Sequence, residues 1–274
     1  MYEAYALRYG GISVRKSEKY YRFESYQAQD AMVGLDFFFW LLRSPERTVL
    51  VDCGFDDLRT AARGYRQEHH PLELLARRGV SATDVDHVVL THMHFDHIGN
   101  IGLFPNATFS VANAELDYWT GPFADRILLC ASGDPRETQM VVDLQAEGRV
   151  HLVDRAEEIL PGIRVTPVRG HTPGQLITEA ATANGTVVLA SDAIHLYEEM
   201  DLDRPYWVFH DLVGMFHGYD LLRSLEAQEG TSIVAGHDPA VMTLFETVDD
   251  TCVDLTAPTS SSRSSRRASR VESL

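Results

Sequence analysis

An α/β fold is what this sequence predicts, and three observations predict it. Short β-rich runs recur along the chain: "VDHVVL" (Val85–Leu90), "IRVTPV" (Ile163–Val168), "GTVVLA" (Gly185–Ala190) and "TSIVA" (Thr231–Ala235). Stretches with helical signals lie between them. Each run is followed at once by a polar residue able to bind a metal, as expected where rigid strands hand reactive groups to loops. The 274 residues suffice for one sizeable core, and 45% apolar with 23% charged residues is ordinary for a globular protein.

Taken in order, "GLDFFFWLL" and "TVLVDCG" are strand-like runs separated by the proline-containing turn "RSPER", which predicts a hairpin. "HPLELLARRGV" places Pro71 at a first helical position and Gly79 at a stop, so a short helix is expected. "VDHVVL" reads as a buried strand that ends in a histidine cluster. Two longer stretches, Asn113–Met140 and Leu196–Gln228, read as helices or excursions rich in aromatics and methionine. Within them, "YWTGPF" (Tyr118–Phe123) and "RPYWVFHDLVGMF" (Arg204–Phe216) suit an apolar pocket wall, plain core or a homodimer contact. From Thr256 the chain turns to Ser/Arg-rich low complexity, expected to be disordered; residues 1–255 are then a single domain.

A formal charge of −16 disfavours nucleic acid and anionic membrane as partners. The longest apolar runs, such as "FFFWLL", are too short to span a bilayer, and no signal-peptide pattern opens the chain. Three cysteines without paired spacing fit a reduced, cytoplasmic protein.

The chemistry concentrates in "THMHFDHIGN" (Thr91–Asn100), with three histidines and an aspartate in six residues. Packing has no use for such a cluster at the end of a buried strand, because its desolvation is costly unless something compensates. A divalent cation does. His92 and His94, two apart, point to one side of an extended segment; Asp96 and His97 follow on a turn. The spacing describes two adjacent sites better than one, each still short of ligands.

"HMHFDH" resembles the H-x-H-x-D-H signature of the metallo-β-lactamase superfamily, and "GHTPG", "SDA" and "GHD" follow in that family's order. The resemblance covers about Leu35 to Asp238. It implies an αββα four-layer sandwich of two mixed β-sheets with metals at one edge. It further implies that His92, His94 and His171 hold one metal, that Asp96, His97 and His237 hold a second, and that Asp192 bridges both. Two divalent ions, with Zn2+ expected, would ionise a bridging water for attack on a small ester. Asp96 is then the general acid–base, and Asp52 of "VDCG" a residue that orients the ligand loop.

Within the superfamily the chain is most similar to N-acyl homoserine lactonases, on "YALRYG", "GLDFFFWLLRS", "HFDHIGN" and "GHTPGQ". A small lactone is therefore the expected substrate and quorum quenching the implied role. Those enzymes carry a tyrosine three residues after the bridging aspartate. Here His195 stands there, able to donate a hydrogen bond to an oxyanion, and it is taken as catalytic beside Asp96. A glyoxalase II-like thioesterase and a mononuclear iron sulfur dioxygenase are the alternatives. His69, His70, His87, His151, His210 and His217 are left outside the site, with His210 or His217 the first to reconsider as pocket lining.

Overall fold

The structure is a computed structural model that describes residues 1–61 and 64–259. Thirteen strands are found among them. β1 (Glu3–Arg15), β2 (Met32–Arg43), β3 (Thr48–Val51), β4 (His87–Val89), β5 (Thr108–Ala112) and β6 (Val150–Val153) belong to one sheet. β7 (Glu157–Leu160), β8 (Ile163–Pro167), β9 (Leu176–Thr182), β10 (Gly185–Ser191) and β11 (Thr231–Ala235) form a second, and β12 (Phe245–Asp249) and β13 (Cys252–Pro258) return to the first. The spatial orders are β12-β13-β1-β2-β3-β4-β5-β6 and β11-β10-β9-β8-β7. Both sheets are mixed. β3 to β6 pair in parallel, β1 to β3 antiparallel, and β10 pairs in parallel with β11 but antiparallel to β9.

The predicted hairpin is β2 and β3. Its near-continuous apolar sequence has a direct cause, since both faces of the sheet are covered. Phe38, Trp40 and Leu42 enter a core shared with Ile163, Val165, Ile177 and Val188 of the other sheet. The alternate residues Phe37, Phe39 and Leu41 enter a second core with Leu74 and Leu75 of the helix Pro71–Arg77. That helix starts as predicted, with the His70 ring accepting from the Leu72 amide, and Gly79 follows it at φ 72°. Met215, Tyr219 and Leu222 of the helix Leu212–Glu226 join the first core. Helix, sheet, sheet, helix is the predicted αββα order.

Two features differ from expectation. β1, a 13-residue strand, was not anticipated, although it pairs with β2 along nearly its whole length. Its "GG" pair, Gly10–Gly11, breaks the apolar alternation where the register shifts between Arg8 and Gly10, so the sequence pattern is interrupted where the strand is bulged. The tail boundary also moves. β13 runs to Pro258, and the Thr259 amide donates to the Leu244 carbonyl, so the chain is ordered three residues and more beyond Leu255. Backbone pairing there outweighs the polar composition. The remaining tail, from residue 260, lies outside the described residues. Among the described residues no helix is long and apolar enough to cross a membrane.

Candidate metal centre

Five strand ends meet at one edge of the sandwich. β3 delivers Asp52, β4 delivers Thr91 to His97, β8 leads to His171, β10 to Asp192 and His195, and β11 to His237. Two of these ends hold backbone that L residues rarely adopt: Asp52 at φ 60° and Ser191 at φ 46°. Gly236 permits the close approach of the last strand end, since a Cβ there would fall 2.7 Å from the Ser191 carbonyl.

All seven expected ligands converge. Ligand atoms of His92, His94, His171 and Asp192 lie within 4.8 Å of one another, and so do those of Asp96, His97 and His237. Asp192 faces both groups. Its Oδ2 is 3.3 Å from His171 Nε2 and 3.7 Å from His92 Nε2, while its Oδ1 is 3.1 Å from His237 Nε2 and 3.4 Å from His97 Nε2. The Asp96 oxygens lie 3.8 Å from the Nε2 atoms of His97 and His237.

The rings are aimed by their far nitrogens. His97 Nδ1 donates to Asp52 Oδ2 at 2.7 Å, His237 Nδ1 to the Asp36 carbonyl at 2.8 Å and His171 Nδ1 to the Val208 carbonyl at 3.0 Å. Each bond leaves a lone pair on Nε2 pointing at the centre, as metal-binding imidazoles require. Asp52 also accepts from the Thr91 amide and hydroxyl, both at 2.8 Å, so one carboxylate holds the ligand loop and one ligand together.

Does a metal fit? His92 Nε2, His97 Nε2 and Asp192 Oδ1 are buried without a hydrogen-bond partner. Orphaned buried polar atoms are costly, and three converging on one place are satisfied together by cations. Protonation tells the same story. Burial and the neighbouring rings hold His92 and His171 well below the usual histidine range, and burial lowers His94 to about 4. These are neutral imidazoles, the form that binds a metal. Burial opposes charge on His97 too, but Asp192, Asp52 and Asp96 outweigh it and raise its pKa. The donor set, rich in imidazole and carboxylate, suits first-row divalent ions.

His195 sits at the same point. Its Nε2 is 3.0 Å from Asp192 Oδ2, and its ring stacks on Tyr206 at 3.7 Å. Its Nδ1 lies 3.3 Å from Glu199 Oε1, at an angle too poor for a hydrogen bond. Desolvation disfavours the charged ring, yet the two carboxylates carry its pKa up to about 9.

Two buried glutamates were missed by sequence reasoning. Glu115, fully buried, accepts from the Met93 amide, the Trp119 indole and the Gly174 amide at 2.8 to 3.0 Å. It ties the "HMHFDH" loop to the "GHTPG" loop, and Trp119 packs edge-on against His94. Gly174 must be glycine, because a Cβ would lie 2.4 Å from the Glu115 amide. Glu199 accepts from the His195 and Leu196 amides and from the Tyr219 hydroxyl, fixing the turn after Asp192. Each looks in sequence like a solvated helical acid, and only the tertiary structure marks it.

The centre opens into a half-open cleft that its ligands line. Of the two expected walls, only the second contributes, through Tyr206, Trp207 and Val208; the rest comes from Ile12, Leu35, Phe37, Tyr65 and Phe95. "YWTGPF" does not line it. Tyr118 is spent against Trp119 and His210. Neither His210 nor His217 lines the cleft, and His87 is occupied between Thr108 and Ser110.

Fold and centre together define a protein with two adjoining metal-binding groups at the edge of an αββα sandwich. The chain belongs to the metallo-beta-lactamase superfamily, which matches residues 38–250. It is similar to an N-acyl homoserine lactonase of Bacillus cereus, 22% identical over 222 residues that cover 76% of this chain and 83% of the relative. An N-acyl homoserine lactonase of Azorhizobium caulinodans is 27% identical over 226 residues, covering 76% and 84%. Among solved structures, an N-acyl homoserine lactone hydrolase with N-hexanoyl-L-homoserine bound at its catalytic metal centre superposes with a TM-score of 0.73. It is 20% identical, covering 90% of this chain and 97% of that one. A dizinc quorum-quenching lactonase superposes at 0.66 with 21% identity, covering 86% and 87%.

Proposed function

We propose that this protein is a dinuclear metal-dependent hydrolase that opens a small lactone ring. One observation carries the reading: Asp192 turns one carboxylate oxygen to each of two groups of buried, outwardly anchored histidines. The curated relatives named as N-acyl homoserine lactonases support the substrate class, and the dizinc neighbour supports Zn2+ as the metal. His92, His94 and His171 would hold one ion, Asp96, His97 and His237 the other, with Asp192 facing both groups. When bound, such ions supply an acidified water and Lewis-acid polarisation of an ester carbonyl.

The chain's own groups then divide the work. Asp96 lines the cleft and takes the proton of the attacking water, returning it to the ring oxygen as the ester bond breaks. His195, held flat by Tyr206, presents its ring at the centre as a donor to the oxygen on which charge develops. The aromatic walls of the cleft seat the acyl part and exclude water from it. A cytoplasmic location belongs to this reading, supported by the three unpaired cysteines, as does a role in removing acyl homoserine lactone signals.

The test is a pH-indicator screen of the Zn2+-loaded protein against acyl homoserine lactones, other γ- and δ-lactones, aryl esters and glutathione thioesters. Lactones should be opened fastest. Turnover confined to thioesters contradicts the reading.

A further inference from the structure

The cleft holds a cation that the chemistry above does not use. Lys19 lines the cleft with the metal ligands, half-buried, in a chain whose net charge is −16. Two nearby cations have a carboxylate partner: Lys16 and Arg204 share Glu198. Lys19 forms no ion pair or side-chain hydrogen bond among the described residues. The acid beside it, Glu18, is turned back to accept from the Arg15 amide.

Its position is built rather than loose. The Trp207 amide donates to the Lys19 carbonyl at 2.8 Å, Tyr20 bridges Tyr206, and the Tyr21 amide donates to the Pro205 carbonyl. The ammonium lies 5.9 Å from the Trp207 ring centroid, a contact that holds a cation without neutralising it. Burial lowers its pKa, and the nearby Glu18 carboxylate offsets that desolvation only in part. The same cleft is lined by the apolar or aromatic residues Ile12, Leu35, Phe37, Tyr206 and Val208.

We infer that Lys19 is the anchor for a carboxylate at the far end of the substrate, so that the preferred lactone carries an acyl group ending in an anion. On this inference the ligand sets its carbonyl at the metals, an apolar spacer along the lining and its carboxylate at Lys19. This inference rests on the lactonase reading and deepens it. A charge-assisted hydrogen bond in a partly desolvated cleft corresponds to about tenfold in kcat/KM or more.

The experiment uses homoserine lactones acylated with diacids of increasing length, each compared with its neutral terminal amide. Wild-type protein should favour the acid of matched length by about tenfold over its amide, more at low ionic strength. Lys19→Met should bring that ratio close to one, and Lys19→Glu should invert it. Calorimetric binding of the ring-opened products gives the same comparison without turnover. An acid-to-amide ratio that is equal in wild type and Lys19→Met overturns the inference while leaving lactone opening intact. If neither lactone is opened, the inference falls together with the lactonase reading.

Discussion

Asp52 and Ser191 adopt left-handed backbone without being glycine, and they sit side by side through Thr91, whose hydroxyl contacts both side chains at 2.8 and 2.9 Å. Strain of this kind persists where the surroundings over-determine it. Here it aims the ligand loop of β4 and the bridging Asp192. Glu115 acts on the same loop through the Met93 amide, so Glu115→Gln should weaken metal affinity by about tenfold or more; competition with a chromogenic chelator measures it. His195→Tyr is expected to shift relative kcat/KM toward homoserine lactones within a lactone panel, and unchanged ratios would remove His195 from the site. His87 gives a pH prediction. Burial, with His151 and Arg47 adding to it, lowers its pKa from 6.5 to about 4, so the folded ring stays neutral where the unfolded one takes a proton. Stability is full above pH 6.5 and falls, by about 3 kcal/mol in all, as pH drops toward 4. Urea unfolding at pH 7 and pH 5 should show a smaller loss for His87→Gln than for wild type.

At the scale of elements, β2 anchors the sandwich, with a run of eight buried residues from Leu35 to Leu42. Trp40 of β2 is fully buried between the sheets, and Trp40→Ala should cost about 3–5 kcal/mol in denaturant unfolding. The hairpin of β2 and β3, the helix after His70 and the strands before each ligand were legible, because continuous apolar runs and terminal Pro and Gly report local structure directly. His92, His94, Asp96 and His97 were legible through their spacing, and His171, Asp192 and His237 through the resemblance of their motifs to those of the superfamily. β1 was not, since its paired glycines sit at a bulge that breaks the alternation. Glu115 and Glu199 were not, because nothing in a helix's own sequence tells a buried acceptor of backbone amides from a surface acid. The cleft wall was half legible: Tyr206 to Val208 were expected, whereas Tyr65 and Phe95 reach it only through the folding of the N-terminal half.

For the whole molecule, of net charge −16, buried carboxylates and imidazoles concentrate at one centre, an arrangement that cations stabilise by binding only the folded state. Chelator treatment should therefore lower the melting temperature, and Zn2+ should restore it in step with activity. On the proposed reading the ions that would hold these strand ends together also serve the reaction, so stability and turnover should share one dependence. The most direct measurement is titration of metal-stripped protein with Zn2+ while lactone opening and bound metal are read together. Activity should rise to a break at two ions per chain, and Asp192→Ala should bind fewer and open no lactone at a measurable rate. Full activity at one ion per chain, or lactone opening by the stripped protein at the loaded rate, would contradict a two-metal hydrolase.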